Sequence, residues 1–140
     1  MVNGNAGHHL GISMKEGRIT VLGDSGVGTG YHMKGGMIEV HGNAGPSAGE
    51  DMKNGVLIIH GDAGPFLAMR AHDSRIHIIG NAGRETGKWM ARTEIHISGN
   101  HKGISKKIIS GRIYHKGELI LEKEGGHYEK GHTIQKKSSE

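Results

Sequence analysis

Apolar residues return along this chain in pairs separated by one residue, and the pairs return every 19 residues: Ile19/Val21, Ile38/Val40, Leu57/Ile59, Ile76/Ile78 and Ile95/Ile97. A spacing of two places both members of a pair on the same face of a strand. The residues between them (Thr20, Glu39, Ile58, His77, His96) face the other way. Each repeat therefore predicts one short strand with its apolar pair turned inward. Two residues after each pair comes a glycine, opening the motif Gly-(Asn/Asp)-(Ala/Ser)-Gly. Its first glycine is Gly4, Gly23, Gly42, Gly61 and Gly80, and its last is Gly7, Gly26, Gly45, Gly64 and Gly83. No stretch has helical periodicity, and each interior glycine costs a helix about 1 kcal/mol.

A fixed period near 20 residues marks a solenoid, in which each coil of chain stacks on the last. The leucine pattern of leucine-rich repeats is absent, which leaves an all-β fold. The expectation is a single-stranded, right-handed parallel β-helix of about six turns, with strands roughly 4.8 Å apart. With the first glycine of each repeat as position zero, position ten reads Met14, Met33, Met52, Ala71, Met90, and these side chains are expected to fill the interior beneath a corner. Position one reads Asn5, Asp24, Asn43, Asp62, Asn81, an alternation of amide and carboxylate. Stacked, it predicts a ladder in which each amide donates to the carboxylates on either side. The sixth repeat is ragged, since Gly111 and Ile113 arrive one residue early. Leu119-Ile120-Leu121 is expected as the last rung. This gives a β-helix domain over 1–121 and a polar C-terminal tail over 122–140. The first rung reads as an open sheet edge, which invites cover by a partner or a second copy.

Composition narrows the picture. There are 26 glycines, no cysteine and 4% aromatic residues among 140. The lack of cysteine excludes disulfides and thiolate metal sites. No apolar run approaches the length of a membrane span, and a cytoplasmic protein without a membrane partner is expected. A net charge of +4 without aromatic stacking signatures gives no reason to expect nucleic acid.

The succession Gly42-Asn43-Ala44-Gly45, Gly49, Met52, Gly55, Ile58-Ile59, together with Gly23-Asp24-Ser25-Gly26, Gly30, Met33-Lys34-Gly35-Gly36, Ile38, Val40, resembles the GXGXG repeat. That repeat forms the C-terminal β-helix domain of the glutamate synthase large subunit and a β-helical component of formylmethanofuran dehydrogenase. The resemblance covers roughly residues 3–121. It implies a non-catalytic scaffold that packs against catalytic subunits of an oxidoreductase or amidotransferase complex, with the cofactor chemistry elsewhere. No catalytic residue carries over, and no cofactor or metal is expected on this chain. Ala68, Ala71, Ser74 and Thr93 depart from the repeat.

Some residues invite a chemical reading. Gly23-Asp24-Ser25-Gly26 matches a serine-protease nucleophile segment by letter, with His72-Asp73 elsewhere, so a small hydrolase or esterase using Ser25 is the alternative of a different class. However, Ser25 stands where Ala6, Ala44, Ala63 and Ala82 stand, which marks a small-residue slot. No phosphate-loop signature occurs. The 12 histidines include His41 and His60 at position eighteen and His77 and His96 at position sixteen, where Leu22, Ile58 and Ile79 also lie. These seven residues are read as a docking face for catalytic subunits or for self-association, with metal binding as the alternative. Lys15, Lys34 and Lys53 form a further column, read as a solvated edge.

Overall fold

The computed structural model describes residues 1–124 and the backbone of Thr133–Ile134. It is an all-β solenoid of about five turns, with coils of about 19 residues. Its strands are β1 (Arg18–Val21), β2 (Met37–Val40), β3 (Val56–Ile59), β4 (Arg75–Ile78), β5 (Thr93–Ile97), β6 (Gly111–His115), β7 (Glu118–Lys123) and β8 (Thr133–Ile134), and they lie side by side in chain order in one sheet. β1 to β6 are parallel, and from β1 to β5 each residue pairs with its equivalent one repeat on, as in Ile38↔Leu57 and Ile76↔Ile95. Further lines of parallel bridges run up the coils, through Ser25, Ala44 and Ala63 and through Lys53, His72 and Ala91.

The inward pairs form the core: Ile38, Val40, Leu57, Ile59, Ile76, Ile78, Ile95 and Ile97 are buried, and so are Met33, Met52 and Met90 of the methionine column. The glycines of the recurring motif serve close approach. The Gly42 N–H donates to the Gly23 carbonyl at 2.9 Å, and the Gly61 N–H to the Gly42 carbonyl at 2.9 Å. A Cβ on Gly42 would lie 2.7 Å from the Gly23 oxygen, so only a bare Cα lets consecutive coils come this near.

The Asn/Asp column is a ladder, but its bonds differ from the expected pairing of side chain with side chain. Asn5 Oδ1 accepts from the Asp24 backbone N–H at 2.8 Å, Asp24 Oδ1 from Asn43 N–H at 2.7 Å, Asn43 Oδ1 from Asp62 N–H at 2.8 Å, Asp62 Oδ1 from Asn81 N–H at 2.8 Å, and Asn81 Oδ1 from Asn100 N–H at 2.8 Å. A corner N–H needs an acceptor, and an amide or a carboxylate supplies the same oxygen. That equivalence is why Asn and Asp interchange in this column.

The C-terminal end corrects a second expectation. Leu119-Ile120-Leu121 is not another rung, because β7 turns back and runs antiparallel to β6. Lys116 and Gly117, between the two strands, both have positive φ (53° and 82°), the signature of a two-residue type I′ hairpin. The expected boundary between Leu121 and Glu122 falls inside β7, and β8 adds antiparallel to β7. The rest of the expected tail, 125–132 and 135–140, lies outside the described residues. The missing residue of the sixth repeat also has a place. Ala82 still pairs with His101 at the full period, whereas Thr86 pairs with Ile104 and Ile95 with Ile113, one residue short. The loss therefore sits in the corner between His101 and Ile104 and leaves the inward face of β6 in register.

Candidate functional site

The outward face of the sheet gathers the histidines. Strand alternation turns Glu39, Ile58, His77 and His96 outward, while His41 and His60 stand just past the ends of β2 and β3. Coil stacking then sets ring over ring. His41 and His60 stack with centroids 4.6 Å apart and planes within 6°. His77 and His96 are 5.6 Å apart and tilted by 46°. His96 in turn stacks on Tyr114 at 4.4 Å and 6°, because the one-residue deletion brings Tyr114 into the histidine column. Leu22 and Ile79 flank the row and stay 45% and 41% exposed.

Glu39 organises one end of this face. Its Oε2 lies 2.7 Å from His60 Nε2 and 3.8 Å from His41 Nε2, while its Oε1 accepts from Arg18 Nη2 at 3.0 Å. The His60 hydrogen bond, and after it the Arg18 hydrogen bond and the nearby imidazole charges, hold the Glu39 carboxyl below the ordinary carboxylate range. Side-chain ligand atoms of Glu39, His41 and His60 lie within 4.8 Å of one another. At the other end, Glu94 Oε2 lies 3.0 Å from His96 Nε2. His77 titrates below an ordinary histidine, first because burial disfavours its charged form, then because His96 and His60 are near. Glu39, Arg18, Glu94 and Tyr114 are absent from the sequence-based docking set. Glu39 was legible as the residue two before His41 and one coil before Ile58, but a charged residue at an outward position carries no signal until its neighbours across the coils are known.

The other candidates separate. Ser25 is buried and accepts a hydrogen bond from Thr29 Oγ1 at 2.7 Å, while its backbone bridges to Ala44. Asp73 pairs with Arg92 at 2.7 Å, and this bond holds its carboxyl low. The geometry thus assigns Ser25 to the small-residue column and Asp73 to an ion pair. Lys15, Lys34 and Lys53 are exposed. A groove of about 530 Å³ runs past Asn54, Asp73, Arg75, Arg92, Glu94 and Arg112. Its arginines are engaged by Asp73, Glu94 and Glu122. Trp89, half exposed, has Arg70, Lys88 and Lys107 within 6 Å of its ring. No helix among the described residues is long and apolar enough to cross a membrane. No protein-family model, curated protein or solved structure matches this chain.

Proposed function

We propose that this chain is a non-catalytic scaffold subunit of a cytoplasmic multisubunit oxidoreductase or amidotransferase, docking its catalytic partners on the histidine-bearing face of the sheet. One observation carries this reading: Leu22 and Ile79 stay exposed beside His41, Ile58, His60, His77 and His96 on one face. Elsewhere the repeat spends its recurring residues on its own backbone, through the glycine approach and the Asn/Asp ladder. An apolar and aromatic strip rimmed by Arg18, Arg75 and Glu94 has the make-up of a protein interface. The motif resemblance to the GXGXG repeat supports the choice of partner class.

The test is affinity capture of the tagged chain from its native cells, beside a Leu22→Glu/Ile79→Glu variant. Recovery of subunits bearing flavin, iron–sulfur or pterin groups, lost in the variant, is the expected result. Recovery of the chain alone, together with ester hydrolysis abolished by Ser25→Ala, overturns the scaffold and installs the hydrolase.

A further inference from the structure

We propose that Glu39, His41 and His60 form a binding site for a single divalent cation of the zinc class. Two imidazoles and one carboxylate are a recurrent zinc donor set, with metal–ligand distances near 2.0–2.2 Å. Ligand atoms tetrahedral about such an ion lie about 3.3–3.6 Å apart. The distances from Glu39 Oε2 to His60 Nε2 and His41 Nε2, 2.7 and 3.8 Å, bracket that separation. The architecture brings the donors together twice over: outward alternation sets Glu39 and His41 two residues apart on one strand line, and coil stacking lays His60 over His41.

The carboxylate is already aimed. Arg18 engages Oε1 and leaves Oε2 turned to the imidazoles. Partners of this kind orient metal ligands and tune their affinity. Both histidine side chains are about two-fifths exposed (42% and 38%), so the stacked rings are free to tilt until their lone pairs converge. The ion takes the place of the hydrogen between Glu39 Oε2 and His60 Nε2, and a neutral His60 coordinates through Nε2 with its single ring proton carried on Nδ1, reached from Nε2 by exchange with solvent. Three protein ligands leave one coordination position open toward solvent, for water or for a donor from another molecule. The site belongs to the isolated chain and stands independently of the scaffold reading.

The experiment is zinc titration of the tag-free chain at pH 7.5 against a chromophoric chelator, with cobalt(II) as the spectroscopic probe. Wild-type protein is expected to take up one zinc per chain and, with cobalt, to give the intense visible bands of tetrahedral coordination. Glu39→Gln and His60→Ala are each expected to weaken binding by about tenfold or more and to abolish those bands, while His32→Ala, an exposed histidine away from this face, leaves both unchanged. Circular dichroism checks the fold of every variant, and the exposed His41→Ala replaces any that fails to fold. Absence of saturable uptake at one equivalent overturns the proposal, as does wild-type affinity in the Glu39, His41 and His60 variants. Loss of the site in His32→Ala overturns it too.

Discussion

At position seven, Gly30, Gly49 and Gly87 have φ of 77°, 75° and 82°, and a Cβ there would lie 3.2, 3.0 and 3.1 Å from the sulfur of Met33, Met52 and Met90. In the fourth coil that glycine becomes Ala68, at a φ of 64°, and in the same coil the methionine becomes Ala71. Position thirteen repeats the relation: a Cβ on Gly55 would lie 2.8 Å from Met33 Cε and 3.2 Å from Met52 Cε. Ser74 and Thr93 occupy this position in the coil of Ala71 and the next one, and their buried hydroxyls donate to the carbonyls of His72 and Ala91. The four departures from the repeat are thus one packing change, the loss of a methionine filled by small additions around it. Restoring the methionine alone should overpack the core. Ala71→Met is expected to lower stability by about 1–3 kcal/mol in chemical denaturation, and adding Ala68→Gly, Ser74→Gly and Thr93→Gly is expected to return part of the loss. Additive effects across the set would show the sites to be independent.

The element that ends the solenoid depends on two residues. Gly117 sits at a φ of 82°, where a β-branched side chain meets its own backbone, and Lys116 already occupies a positive φ. Gly117→Val is expected to cost about 1–2 kcal/mol, read as a lower midpoint in thermal unfolding, whereas Lys116→Asn leaves the midpoint unchanged or raises it. The parallel rungs were legible in the sequence because the apolar pairs keep strict period through Ile97, and so was the burial of the methionines. The hairpin was not. Its Lys-Gly turn was present, but Gly117 comes 18 residues after Gly99, close enough to the period for Leu119-Ile120-Leu121 to read as another rung. Only the backbone at Lys116–Gly117 distinguishes a return from a continuation. The histidine columns were likewise legible from spacing, while the Glu39–His60 contact joins neighbouring columns on different coils and needs the lateral geometry of the sheet.

Across the molecule, the sheet face couples stability to pH. His77 is held below its ordinary value of 6.5, so as pH falls the unfolded chain takes up this proton before the folded one does. Stability from this group is fully present above 6.5 and drains away as pH falls through the lowered folded value. Glu39 has the carboxylate sign: its contribution is present above the ordinary carboxylate range and is lost only as pH falls through its own lowered value, well beneath the histidine window. Denaturation midpoints are therefore expected to decline between pH 7.5 and 5.5, and His77→Gln should flatten that decline. An unchanged slope in the variant would place the coupling elsewhere.

Every coil closes at the same corner where it opened, with Gly42 hydrogen-bonded above Gly23 and Gly61 above Gly42. The height of this column is therefore a whole-number quantity. Excising one full period rejoins equivalent points and keeps inward side chains inward, whereas trimming a strand by a single residue reverses every facing beyond it. The chain's own lost residue obeys that arithmetic by falling in a corner. Such a tower grows or shrinks by storeys, and a partner gripping one floor need not notice how many stand above it.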